Sequence, residues 1–391
     1  MGGVALAWLC AAVYSRRTVI VSAAQNTESN PMTHPYRCYT ELKTQAVAWQ
    51  QAAENVQAAA HSLRQFVEAC QPDQILFLAS GSPYYLGTSA AVYWQQILNV
   101  PARAVMASEM LLFPSGHLPP AGSRPLLVVV SRSGATSEVL WALDQFEARF
   151  PGRAVLVTCA PGSPLAQRIA HQVVLPEGME QTVPQTRSFS AMYLAVQMLG
   201  SILGKHDEIT DMLARAHRHF PAALDPWEER IAAAVADDAL RHVFFLGSGP
   251  LYGIAIEASL KMSEMSLTEA FAYPFLESRH GPRSLIDHNS LVVGLFGSTA
   301  FSYENAVVAE LKRDAGARIA ALTAEGLPSI IGGDVVLAAS TLWPDAIQGL
   351  LYLPVVQLLA YYRAVAAGVN PDESRNLVPY VKLDDTGSQA N

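Results

Sequence analysis

The segment 74–84, which reads Q-I-L-F-L-A-S-G-S-P-Y, returns at 242–252 as H-V-F-F-L-G-S-G-P-L-Y. Both copies are short apolar strands that run into a Ser-Gly turn and then a helix. Further pairs follow in the same order: 126–130 with 290–294, 154–158 with 319–323, and 173–175 with 335–337. An offset of roughly 160 to 170 residues implies duplicated domains rather than a solenoid. Helix-length segments lie between the strands at 86–98, 139–149, 254–266 and 303–314. Buried strands alternating with helices imply parallel sheets covered on both faces. Ligands of such sheets sit outside the carboxyl ends of the strands, near a switch point in strand order. The turns at Ser80, Ser131 and Ser248 all fall at such ends.

Among those turns, Ser131-Arg132-Ser133-Gly134-Ala135-Thr136 carries the clearest chemistry. It follows the apolar run 126–130 and precedes a helix-like segment. Hydroxyls and unpaired backbone N–H groups at a helix N-terminus favour a phosphate or another anion. Ser and Thr are also ordinary helix caps, so the turn gains meaning from its surroundings.

The 391 residues are 51% hydrophobic and 15% charged, as expected for a compact globular enzyme. A net charge of −8 and the lack of any Lys/Arg run argue against nucleic acid as a partner. Cys10, Cys38, Cys70 and Cys159 lack metal-ligand spacing and Cys-x-x-Cys pairing, so they read as reduced thiols of a cytoplasmic protein. No metal or cofactor is implied. The apolar run 4–13 resembles the core of a signal peptide but is too short to span a membrane. Arg16 and Arg17 follow it, the reverse of the secretory pattern. The reading is therefore no membrane partner and an N-terminal extension, 1–35, that is disordered or a mis-assigned start with translation beginning at Met32.

The motifs resemble those of the tandem sugar-isomerase (SIS) domain family, including the isomerase half of glucosamine-6-phosphate synthase and related ketose-aldose isomerases and amino-sugar-phosphate deaminases. The resemblance covers about 36–383. It rests on Ser80-Gly81-Ser82-Pro83-Tyr84, the Ser131 to Thr136 turn, Gln185-Thr186-Arg187-Ser188-Phe189 and Leu246-Gly247-Ser248-Gly249. It also rests on Glu257-x-x-x-Lys261-x-x-Glu264, on Glu277-Ser278-Arg279-His280-Gly281-Pro282, and on the tail 371–377.

The resemblance implies an α/β chain of two tandem SIS domains, each a doubly wound parallel sheet flanked by helices. The expected organisation is a helical segment at 36–72, a first SIS domain at 73–206, a helical connector at 207–237, a second SIS domain at 238–367 and a tail at 368–391. It further implies that Ser131, Arg132, Ser133 and Thr136 bind the sugar phosphate with Gly81 and Ser82, and that Gln185 and Glu277 contact the substrate. Glu264 resembles the base that carries a proton through an enediol, His280 the ring-opening acid-base group, and Lys261 an electrostatic or orienting group. In the synthase the histidine crosses a subunit interface, so a homodimer with shared active sites is implied. The chemistry is coherent, because moving a carbonyl between C1 and C2 needs a base and groups that stabilise an oxyanion. Lys261 and Glu264 stand three apart and share one helix face.

Two departures narrow this expectation. The synthase forms an imine with a tail lysine two residues after Arg-Asn-Leu, and here that position is Pro379. Lys382, three residues further on in an extended tail, points to the opposite face. The sequence also shows no glutamine amidotransferase domain with its N-terminal cysteine nucleophile. The expected function is an isomerase or deaminase acting on a hexose or hexosamine 6-phosphate. The alternatives are a fructosamine-phosphate deglycase, an ammonia-dependent aminotransferase and a non-catalytic sugar-phosphate sensor.

Overall fold

Alternate residues of the central strands serve two different cores. Ile75 and Phe77 pack with Val128 and Val130 in one, while Leu76 and Leu78 pack with Leu127 and Val129 in the other. That period of two requires apolar cover on both faces of the sheet, which explains the unbroken apolar runs in the sequence. The computed structural model describes residues 34–220, 224, 226–384 and 386–389. The apolar run 4–13, Cys10 and Met32 lie outside the described residues.

Two five-stranded sheets are present. The first contains β1 (Gln74–Ala79), β2 (Ala102–Met106), β3 (Pro125–Ser131), β4 (Ala154–Thr158) and β5 (Gln172–Val174), in the order β2-β1-β3-β4-β5. The second contains β6 (His242–Gly247), β7 (Glu269–Tyr273), β8 (Ser290–Leu295), β9 (Arg318–Ala324) and β10 (Val335–Ala339), in the order β7-β6-β8-β9-β10. All neighbours in both sheets are parallel. The order reverses beside β1 and β6, and crevices open at such points.

Tyr36–Asn391 forms one compact unit. Its main core joins both sheets through the helices Gln45–Cys70, Arg187–Leu203 and Asp345–Ala366. The last of these is long and apolar enough to cross a membrane, yet 89% of its most apolar window is buried inside the protein. It is a core helix of this fold.

The helices begin earlier than the apolar pattern predicts, at Ser82, Ser137, Pro250 and Phe301. Pro83 and Pro250 suit a first turn because no N–H is lost there. Helices Ser82–Leu98 and Pro250–Ser266 cross closely. A Cβ on Gly253 would lie 2.4 Å from the Tyr85 carbonyl oxygen, so only glycine fits. The Ser89 hydroxyl donates to the Pro250 carbonyl across the same crossing.

Edge strands β2 and β7 were not legible as strands. The expected helical connector is interrupted: helices Asp207–Ala214 and Glu228–Val235 flank a 3-10 turn at Ala216–Arg218. The tail does not simply depart as an extended segment. Asp372 accepts hydrogen bonds from the N–H groups of Arg37 and Cys38, both at 2.8 Å, and caps the N-terminal helix Arg37–Lys43. Beyond it the chain runs back across the end of β3.

Candidate functional site

Strand β3 ends at Ser131, and helix Ser137–Glu147 begins six residues later. The intervening turn is locked from within. Ser131 Oγ accepts from the Gly134 N–H at 3.1 Å, and Ser133 Oγ accepts from the Ala135 N–H at 3.3 Å. Gly134 has φ +60°, and a Cβ there would fall 2.1 Å from Ser163 Oγ. The turn therefore depends on glycine for both its backbone conformation and its packing. Thr136 occupies the N-cap position without a side-chain bond to the helix.

A cavity of about 270 Å³ opens above this turn. Gly81, Ser131, Ser133, Thr136 and Gln185 line it, and the tail residues Pro379 and Tyr380 contribute a wall. Gln185 Oε1 is buried and has no hydrogen-bond partner. A ligand hydroxyl donating there would satisfy it. Glu138 also lines the cavity, and burial raises its carboxyl above the ordinary range.

Arg132 sits at the wall with a different task from its neighbours. Its guanidinium donates to the carbonyls of Thr182 (3.2 Å), Val183 (3.0 Å) and Pro379 (2.6 Å), and it pairs with Glu180 at 3.5 Å. The side chain is a clamp between the turn, the 182–183 segment and the tail.

Lys261 and Glu264 do not line this cavity, but the β1 turn connects them to it. Gly81 and Pro83 face the cavity, and Ser82 between them accepts from Lys261 Nζ at 3.3 Å. Lys261 also pairs with Glu264 on one side and with Glu257 at 3.3 Å on the other. Lys261 and Glu257 are fully buried and Glu264 nearly so. Full ionisation of all three would leave one excess negative charge in a low-dielectric place. Burial pushes Glu257 up to about 8, with Lys261 opposing and Glu264 reinforcing the shift. Two carboxylates flank Lys261 and hold its ammonium above the ordinary range despite its burial. Glu257 was visible in the motif but was not among the expected site residues.

His280 and Glu277 lie on the short 3-10 segment Glu277–Arg279 and the residue after it, both exposed. Neither lines the Ser131 cavity of its own chain. The expected tail position is also resolved: Pro379 stands at the cavity wall, while Lys382 is exposed with its ammonium 5.4 Å from the Tyr380 ring centre.

Residues 69–202 match the SIS domain family model. The chain is 26% identical over 373 residues to glutamine–fructose-6-phosphate aminotransferase [isomerizing] of Streptococcus pyogenes serotype M1, covering 90% of this chain and 59% of the relative. It thus spans about three-fifths of that relative's length. Among solved structures, the C-terminal domain of glucosamine-fructose-6-phosphate aminotransferase from Francisella tularensis superposes with TM-score 0.77 at 23% identity, covering 87% of this chain and 99% of that one. Glucosamine-6-phosphate deaminase from Thermotoga maritima gives TM-score 0.67 at 25% identity, covering 84% and 98%. Residues 69–202 therefore carry a SIS domain, and the chain is homologous to the isomerase domain of glutamine–fructose-6-phosphate aminotransferase.

Proposed function

We propose that this chain is an isomerase or deaminase acting on a hexose or hexosamine 6-phosphate, built from two tandem SIS domains with doubly wound sheets at 73–206 and 238–367. One observation carries the reading: the β1 turn puts Gly81 on the anion cavity and Ser82 on the Lys261–Glu264 cluster. A phosphate held by Ser131, Ser133 and Thr136 would therefore place the sugar chain beside a buried base.

Each residue then has a chemical task. The Ser131, Ser133 and Thr136 hydroxyls donate to the phosphate dianion, which the dipole of the following helix favours. Gln185 Oε1 accepts a sugar hydroxyl. Glu264 takes the proton from C2 and returns it to C1, or the reverse, through an enediol or enediolamine. Lys261 stabilises the oxyanion that develops between them. Glu257, which retains its proton to about pH 8, keeps the cluster from carrying two full negative charges. His280, and Glu277 with it, serve a neighbouring subunit in a homodimer, where the imidazole opens the ring. Pro379 offers no amine, so the carbonyl is processed without an imine to the tail.

The test is a panel of sugar and amino-sugar 6-phosphates assayed for aldose-ketose conversion and ammonia release. Glu264→Gln should abolish solvent-deuterium incorporation at C1 and C2 while keeping ligand affinity within about threefold. Tight binding with no turnover of any substrate would instead establish a sugar-phosphate sensor. Release of a free amino acid from a fructosamine phosphate would establish a deglycase, and glucosamine 6-phosphate formed from ammonium an ammonia-dependent aminotransferase.

A further inference from the structure

A larger cavity, of about 550 Å³, opens at the carboxyl ends of β6 and β8. It occupies the place in the second sheet that the Ser131 cavity occupies in the first. Gly81 (φ 63°, ψ −138°) and Gly249 (φ 56°, ψ −127°) turn the chain in the same way at the two strand ends. Gly249 and the 297–300 turn line this cavity, as Gly81 and the 131–136 turn line the other. Tyr93 and Gln96 also line it, and they stand as far from Gly81 along the chain as Lys261 and Glu264 stand from Gly249. Its volume lies within the ordinary range for small-molecule sites, roughly 300–1,000 Å³.

The anion seat of this second cleft is already filled. Asp345 Oδ1 accepts from the Ser298 N–H at 2.6 Å and from the Ser298 hydroxyl at 3.0 Å, and Oδ2 accepts from the Thr299 N–H at 3.0 Å. The carboxylate takes the donors that a phosphate would need. A Cβ on Gly297 would lie 2.7 Å from the Asp345 carboxyl carbon, so glycine is required for this fit. Glu304 Oε2 accepts from the Gly297 N–H at 3.2 Å.

The charge lining the cavity has one sign. Among the described residues Asp345 and Glu304 face it, no Lys or Arg does, and His206 is the one imidazole there. Glu304 is buried, and desolvation with help from Asp345 pushes it up to about 7, against the Gly297 N–H and the Ser248 hydroxyl. Each added cation would relieve that cost, whereas a phosphate would add to it. Ser248, Thr299 and Gln96 supply groups for hydroxyls, and Ile97 and Leu251 supply apolar wall for a carbon skeleton.

We propose that this second cleft binds a small, non-phosphorylated, hydroxylated amine, with its ammonium against Asp345 and Glu304. The first cleft then selects by phosphate and the second by positive charge, within one chain. The inference does not depend on the proposed reaction.

Calorimetric titration of the full chain with glucosamine, glucose and inorganic phosphate tests it. Glucosamine should bind saturably, one per chain, and glucose at least tenfold more weakly. Asp345→Asn should weaken glucosamine at least tenfold and leave inorganic phosphate binding at the Ser131 turn unchanged. Because Asp345 also caps the 298–299 turn, Glu304→Gln serves as a second variant and should weaken glucosamine at least threefold while the chain still unfolds cooperatively. Equal affinity for glucose and glucosamine, absence of glucosamine binding, or unchanged glucosamine binding in both variants would overturn the proposal.

Discussion

Arg132 holds the backbone of Pro379 at 2.6 Å and thereby ties the C-terminal tail to the candidate phosphate turn. Two further contacts continue the attachment: the Ser137 N–H donates to the Val381 carbonyl at 3.2 Å, and the Leu383 N–H donates to Ser137 Oγ at 3.0 Å. The tail is thus stitched to the first turn of the helix that follows the anion site. Arg132→Lys keeps the charge near Glu180 but loses the planar fork that spans three carbonyls. It should raise KM for a phosphorylated substrate about tenfold with a smaller effect on kcat, and it should speed tryptic cleavage at exposed Lys382. Unchanged cleavage and unchanged KM would show that the clamp does not hold the tail.

The Glu257–Lys261–Glu264 cluster makes a prediction about pH and stability. Glu257 has a folded value near 8 against an ordinary 4.5, so the native state binds more protons than the unfolded chain between those values. Stability should therefore fall as pH rises from about 4.5 to about 8. Glu257→Gln removes that cost and leaves Lys261 paired with Glu264. The melting temperature of the variant should exceed that of the wild type by more at pH 8 than at pH 5. A constant gap, or one of opposite trend, would mean that Glu257 is ionised throughout. Slower proton exchange in the same variant would separate its part in the chemistry from its part in stability.

The central strands and their turns were legible because fully buried parallel strands leave unbroken apolar runs: β3, β4, β8 and β9 lie within one or two residues of where the pattern put them. The edge strands β2 and β7 were not, although β5 and β10, at the opposite edges, were. β2 carries exposed Arg103 and Met106, and β7 starts at exposed Glu269, so neither shows the apolar run of a doubly covered strand. The residue types of the candidate site were also legible, since Ser131, Ser133, Lys261 and Glu264 stand in compact local motifs. What local spacing did not reveal was long-range placement. The Arg132 clamp on Pro379, the Ser82–Lys261 bond and the Asp345 carboxylate on the 298–299 turn join residues far apart in sequence. Short-range periodicity carries no signal for such pairs.

Glu304 offers a second pH test with a defined magnitude. Its carboxyl is 2% exposed and is pushed from 4.5 up to about 7, chiefly by burial. The native state again holds the proton longer than the unfolded chain. Stability should decline between about pH 4.5 and pH 7 by about 3 kcal/mol from this group, since each pKa unit is worth about 1.4 kcal/mol. Glu304→Gln should remove most of that slope in denaturant unfolding measured at pH 5 and pH 7.5. If the variant shows the same slope as the wild type, the carboxyl is not the source.

The last prediction concerns Gly134, where two separate costs are superimposed. At φ +60° any side chain pays a left-handed backbone penalty of about 1–2 kcal/mol. A Cβ there would also lie 2.1 Å from Ser163 Oγ and 2.6 Å from Ser163 Cβ, an overlap that rotation of the hydroxyl alone does not relieve. Overpacking of this kind costs typically about 1–3 kcal/mol. Gly134→Ala should therefore destabilise the fold by about 2–5 kcal/mol and weaken inorganic phosphate binding, because the turn that presents Ser131 and Ser133 must shift. Adding Ser163→Gly removes the overlap but not the backbone penalty. It also removes the Ser163 cap on helix Pro164–Arg168, where Ser163 Oγ accepts from the Ala166 N–H. The double variant should recover only the steric part, and phosphate affinity should return with it. Additive losses in the double-mutant cycle would show that Ser163 does not set the shape of the turn.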